Sequence, residues 1–232
     1  MIIRAAGQHL QFITQPDHAQ LAGRVMQACT ALTTHPRRAA ILKAVGEHDN
    51  GWAEPDAAPI LDPATGKPVD FVNAPLIVRH AVWPRGVRRL AGDPWAAALV
   101  AQHAITAYER YGNDPEWTLF FAQMTRLRDE MVTESGVDPA ALASDYVYVR
   151  LGDLISLAFC TGWTDALHVA GWTVCRADRD VHVSPDPFGG AVIPLEVQAR
   201  QLPPGPYRTD AELQAAFVAA ELFRVEGAAS GR

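Results

Sequence analysis

The sequence predicts a mainly α fold, with a helical core over residues 15–160 and a small β-sheet formed by an N-terminal hairpin and C-terminal strands. Three observations lead there. Apolar residues recur at three-to-four spacing through most of the first 160 residues, and these stretches open at proline or a turn residue. After Gly162 the texture changes to short β-branched runs separated by Asp, Pro and Gly. With 232 residues, 49% of them hydrophobic, the chain is long enough for one sizeable core, and length alone does not require two. A single domain over 1–232 is expected, with residues 1–14 and 163–225 as a β-rich appendage carrying a terminal helix.

The elements follow in order. Ile2-Ile3-Arg4-Ala5 and Leu10-Gln11-Phe12-Ile13, disposed about Gly7, read as two strands with a turn at the glycine. Thr14, followed by Pro16 and Asp17, has the pattern of an N-cap, because proline is tolerated in a first turn and a carboxylate there favours the helix dipole. That helix should run to about Cys29. A second, Arg37 to Asp49, has Ile41, Leu42 and Val45 as its apolar stripe and stops at Asn50-Gly51. Gly51 to Pro75 contains Pro55, Pro59, Pro63, Pro68 and Pro75, so no helix is expected there; a connection this long, leaving from His48-Asp49, suits an active-site wall or lid. Helical periodicity returns over Leu76–Leu90, Pro94–Tyr111, Pro115–Glu134 and Pro139–Phe159. Strands are expected at Trp172–Cys175, Val181–Val183 and Val192–Val197, then a helix from Asp210 to Phe223, and fraying after Gly227.

Composition excludes several function classes. A formal charge of −6 lacks the basic excess that phosphate-backbone binding needs, so nucleic acid is not an expected partner. Cys29, Cys160 and Cys175 are odd in number, widely spaced and set in apolar stretches, which argues against a disulfide framework. No leader-like opening and no apolar run of ~20 residues is seen, so a cytoplasmic protein with no membrane association is expected.

The chemistry-bearing residues are His18, His48, Asp49, His80, His103 and Asp153. His18 precedes Leu21, Ala22 and Val25 by three, four and seven positions, so it belongs to the apolar face of its helix. His48 and Asp49 continue the stripe of Ile41 and Leu42. His80 shares a stripe with Leu76, Trp83, Val87 and Leu90, and His103 with Ala96, Leu99, Val100 and Ala107. Pro84, four residues after His80, should kink that helix. Asp153 lies among Leu151, Leu154, Ile155 and Leu157, where an unpaired carboxylate would cost several kcal/mol. Its compensation is either Arg150, one turn earlier, or a metal ion. Each histidine alone is more often a core residue than a ligand, whereas together they form a donor set suited to Fe, Mn or Zn. Trp52, Trp83 and Arg79 flank these positions as candidate substrate-pocket residues, and Asp49 is the candidate catalytic carboxylate. His9, His35, His168 and His182 read as surface residues.

The order His, His-Asp, His, His, Asp, each on its own helix, resembles the HD-domain superfamily of metal-dependent phosphohydrolases over residues from about Gln15 to Cys160. The strings Gln15-Pro16-Asp17-His18, Glu47-His48-Asp49-Asn50-Gly51-Trp52 and Asp153-Leu154-Ile155-Ser156-Leu157 are also similar to an uncharacterised bacterial family of HD-like proteins of about this length. The resemblance implies an HD-like helical core. It also implies His18 as first ligand, His48 and a bridging Asp49 as the doublet, His80 and His103 as an added pair, and Asp153 as closing ligand, holding one or two divalent ions. In that superfamily a lysine commonly follows the doublet where Trp52 stands here, which loosens the tie to phosphate.

Three functions are therefore expected to compete. The first is hydrolysis of a small phosphate ester by metal-activated water. The second is diiron oxygenase chemistry on the same scaffold, and the third a non-catalytic binding module with a structural metal. Oligomeric state, including a homo-oligomer, is left open.

Overall fold

The computed structural model describes residues 1–232. Strands β1 (Ile2–Ala6) and β2 (His9–Ile13) form a hairpin at Gly7, and Thr14 then caps α1 (Gln15–Met26) by accepting the Asp17 backbone N–H. Helix α2 (Arg38–Glu47) ends with His48 as its C-cap. A short 3-10 turn, Asn50–Trp52, leads into α3 (Ala53–Ala57). Four longer helices follow: α4 (Leu76–Arg89), α5 (Pro94–Ala107), α6 (Thr118–Ser135) and α7 (Ala141–Thr161). The chain then forms β3 (Leu167–Val169), β4 (Trp172–Ala177), β5 (Asp180–Ser184), β6 (Val192–Leu202), α8 (Asp210–Ala219) and β7 (Leu222–Gly231).

The expectation of a mainly α, HD-like core with a small sheet is overturned. Half of the chain is helical and about a fifth lies in one curled, seven-stranded mixed sheet ordered β1-β2-β6-β7-β5-β4-β3. The sheet is no appendage, since its residues Val174, Val181, Leu195, Val197 and Ala229 belong to the same buried cluster as the helices. The miss came mainly from β7. Its second half, Gly227-Ala228-Ala229-Ser230-Gly231, has no strand propensity and was expected to fray, yet β7 sits mid-sheet, antiparallel to β6 from Leu222 to Ser230 and parallel to β5. Those residues are extended because two neighbours supply their hydrogen bonds. The expected helix over 210–223 accordingly ends at Ala219. The proline-rich segment also departs from expectation: α3 contains Pro55, which stands in the first helical turn, where its missing N–H costs nothing.

Helix α7 organises the rest. Every residue from Leu151 to Cys160 is buried, and the helix packs against α1, α2 and α5 as well as β1, β3, β4 and β5. A helix that is apolar all round is one enclosed on all sides. Two glycines permit the close approaches that bring ligand-bearing elements together. A Cβ on Gly152 would lie 2.7 Å from both Met26 Cγ and Val45 Cγ1, so its absence seats the residue before Asp153 between α1 and α2. A Cβ on Gly51 would lie 1.9 Å from the Val82 carbonyl oxygen, so the turn after Asp49 is pressed onto α4.

Backbone cannot yield as a side chain can. Gly51→Ala should therefore cost about 2–3 kcal/mol, seen as a fall in Tm of roughly 4–12 °C. Gly152→Ala should cost less, because the Met26 and Val45 side chains can adjust. Thermal denaturation of the two variants checks the order, and a larger loss in Gly152→Ala would contradict it.

Candidate metal centre

Four side chains meet at one buried point. His18 projects from α1, His48 and Asp49 from the end of α2, and Asp153 from the middle of α7. His18 Nε2 lies 3.2 Å from His48 Nε2, 3.2 Å from Asp153 Oδ1 and 3.7 Å from Asp49 Oδ2. His48 Nε2 lies 3.5 Å from Asp153 Oδ1 and 3.6 Å from Asp49 Oδ2. Donors bound at 2.0–2.2 Å around a tetrahedral ion stand about 3.3–3.6 Å apart. The five separations that involve an imidazole are close to that spacing, and the donors form two overlapping groups that could hold an ion, His18 with His48 and Asp49, and His48 with His103 and Asp153.

The outer hydrogen bonds orient both imidazoles for the task. His48 Nδ1 lies 2.7 Å from the Val45 carbonyl oxygen, which can only accept, so Nδ1 carries the proton and the Nε2 lone pair faces the centre. Ser156 Oγ gives its single proton to the His18 carbonyl oxygen at 2.7 Å and accepts from His18 Nδ1 at 2.8 Å. With Nδ1 donating to Ser156, the His18 ring therefore also turns its Nε2 inward. Two lone pairs 3.2 Å apart, faced by two carboxylate oxygens, require a positive charge between them.

The titration behaviour carries the same message. Burial pushes His48 down, but the charges of Asp49 and Asp153 and the bonds to Asp153 and Val45 outweigh it and raise its pKa to about 9. Asp49 is raised, chiefly by burial and also by the Asp153 charge. Asp153 is itself desolvated, yet His18, His48, His103 and Arg150 hold its carboxyl well below the usual range. A buried carboxylate pair has thus divided, with one member kept ionised and the other pushed toward its acid form. A proton on His48 stands where a cation would.

The remaining expected residues sort by position. His103, on α5, faces the other oxygen of Asp153, with Nε2 3.9 Å from Oδ2 and Nδ1 3.2 Å from the Tyr146 hydroxyl. Burial lowers its pKa well below the ordinary value. His48, His103 and Asp153 make a second group whose donor atoms lie within 4.8 Å of one another. Arg150 Nη1 donates to Asp153 Oδ2 at 2.5 Å. Arg150 thus takes one carboxylate oxygen of Asp153, and the other faces His18 and His48.

His80 does not join the others. It belongs to neither donor group, and its ring stacks on Phe120 at 5.1 Å and meets Trp117 edge-on at 4.7 Å. The apolar stripe of α4 faces inward as expected, but at His80 it meets the aromatic cluster of α6. One turn on, Trp83 reaches His103, with ring centroids 5.6 Å apart. His35, read as a surface residue, has Nε2 3.4 Å from the fully buried Asp145, which Arg37 and Trp95 Nε1 also bind. That network ties the chain ahead of α2 to α7.

A cavity of about 360 Å³ opens onto the tetrad, lined by His18, Asp49, His103 and Asp153 and also by Trp52, Trp83 and Arg79. Arg110, Arg150 and Tyr108 were not singled out from sequence as pocket residues, because nothing local marks which arginine or tyrosine faces a cavity. Ser156 had a readable signal, lying one helical turn after Asp153 on α7. Phe71, from the proline-rich segment, and Trp163 also line the cavity, with rings 6.3 Å apart. Gln15 Oε1, Trp52 Nε1, Trp83 Nε1 and Arg79 Nε are buried there without a protein partner.

The family model described as "Protein of unknown function (DUF3891)" matches residues 1–204. The chain belongs to this family. The matched span includes every residue of the tetrad, His103 and the whole cavity lining, and it ends before α8 and β7. No curated protein and no solved structure matches the chain. No helix is long and apolar enough to cross a membrane, and the three cysteines are free.

Two outcomes follow for the centre. His48, raised from 6.5 to about 9, stabilises chelator-treated protein fully below pH 6.5, and that contribution is lost as pH rises toward 9. The raised Asp49 acts in the same sense. Tm in chelator should therefore fall across this window, and added Zn²⁺ or Mn²⁺ should remove the fall, because metal replaces the proton; a Tm that rises with pH would count against the site. Ser156→Ala should weaken metal affinity by about 10–100-fold through loss of His18 orientation, measured by competition with a chromogenic chelator.

Proposed function

We propose that this protein is a metal-dependent hydrolase of a small phosphate ester, with one divalent ion, Zn, Mn or Fe, held by His18, His48, Asp49 and Asp153. The carrying observation is the pair of inward Nε2 atoms, 3.2 Å apart and faced by two carboxylates, beside a substrate-sized cavity that His18, Asp49 and Asp153 line. The ligand order resembles that of HD-domain phosphohydrolases, which supports the chemistry through the donor set alone. A single ion suits the geometry better than two, since His80 stands apart and Arg150 occupies the oxygen of Asp153 that faces His103.

A bound divalent ion supplies Lewis acidity, which lowers the pKa of water and offsets charge on the leaving oxygen. The chain's own residues do the rest. Arg79 and Arg110 present guanidinium groups to the cavity, giving phosphate the cationic contacts that Trp52 cannot supply. The four buried polar atoms without partners are the hydrogen-bonding positions left for a ligand. His103, neutral and beside Asp153, is placed to take a proton from attacking water, with Tyr146 orienting its ring. Phe71, Trp83 and Trp163 seat the apolar part of the substrate.

Purified protein should contain about one equivalent of metal by mass spectrometry and should hydrolyse p-nitrophenyl phosphate. Asp49→Ala should lose both metal and activity. His103→Ala should keep the metal while kcat falls about 10²–10⁴-fold, and Arg79→Ala should act mainly on KM. A folded wild type that binds no Zn, Mn or Fe, or that binds metal and cleaves no ester of a phosphate panel, would overturn the reading.

A further inference from the structure

The concave side of the sheet continues past the end of α7, and there its inward stripes change character. On β1 the inward position after Ile2 is Arg4; on β4 the one after Val174 is Arg176. Both reach the carboxyl end of α7, Arg4 Nη1 donating to the Phe159 carbonyl at 2.7 Å and Arg176 Nη1 to that of Gly162 at 3.1 Å. With Arg179 and Arg224 they line a groove of about 510 Å³ whose one acidic side chain is Glu226. It shares no residue with the metal cavity.

Capping of α7 uses only part of this charge. Arg4 Nε is spent on Gln11 Oε1, while its Nη2 has no protein acceptor. Arg176 Nε is buried with no partner at all. The Arg179 side chain makes no hydrogen bond or ion pair, and Arg224 is held by Glu196 at 3.2 Å. Setting aside that pair, and Glu226 against one arginine, the groove lining itself keeps an excess of two positive charges, with Asp178 and Asp180 on the adjoining face beside Arg176 and Arg179. Phe159, Phe223 and Val225 lie beside the arginines and offer apolar surface for the rest of a ligand.

We propose that this groove is a second binding site, for a phosphorylated small molecule whose dianionic phosphate is held by Arg4, Arg176 and Arg179. Guanidinium groups suit phosphate because their planar N–H pairs match its oxygens, and the volume is that of a small-ligand site. The inference does not rest on the metal centre.

Isothermal titration of the full chain with phenylphosphonate, a non-hydrolysable monoester mimic, and with inorganic phosphate tests it. Phenylphosphonate should bind saturably and more tightly than inorganic phosphate. In an Arg79→Ala background, which weakens phosphate binding at the metal cavity, its Kd should rise at least fivefold on adding Arg179→Ala, a substitution that removes no hydrogen bond or ion pair. Equal affinity after that addition, or no saturable heat at 10 mM, a ceiling of roughly millimolar affinity, would overturn the site. Loss in Arg79→Ala alone would move the anion to the metal cavity and overturn it equally. Tighter binding of inorganic phosphate would overturn the organic part of the assignment.

Discussion

Two imidazole lone pairs and two carboxylates, buried around one point, are the constraint on which the rest depends. Removing such groups from water costs several kcal/mol each unless a positive charge accompanies them. Here the charge is either a proton on His48 or a metal ion, and the outer hydrogen bonds from Ser156 and Val45 choose the tautomers that suit the metal. The site is therefore built with its second layer in place, and that layer is drawn from the same helices as the first.

Bringing α1, the end of α2 and α7 to one point requires α7 to pass through the interior, which explains its unbroken run of buried residues. A helix so enclosed needs covering on every side. The other helices cover part of it, and the curled sheet covers the rest, so β1 and β4, nearly at opposite ends of the strand order, both meet its carboxyl end. Metal cavity and arginine groove lie at successive positions along this one helix, with Asp153 and Leu157 facing the first and Phe159 and Thr161 the second.

The donor types were legible because burial is written into helical periodicity. His18, His103 and Asp153 stand on apolar stripes, and such stripes face the interior in almost any packing. Periodicity gives direction only to within a face, however, and His80 shows the limit: it faces inward yet lands on Trp117 and Phe120 rather than on the ion site. The sheet was less legible still. Strand β7 ends in small residues whose extended state comes from pairing with β6 and β5, and β6 itself runs to eleven residues where its β-branched run marks only half.

By itself, then, the sequence determined which residues could bind a metal and that most would be buried, because amphipathic spacing and the cost of a lone carboxylate act locally. Tertiary structure alone decided which donors meet and how far the sheet extends. Those depend on helix crossings such as Gly51 against Val82 and on strand pairings between residues far apart in the chain. No local pattern encodes a distance of 3.2 Å between two side chains thirty residues apart.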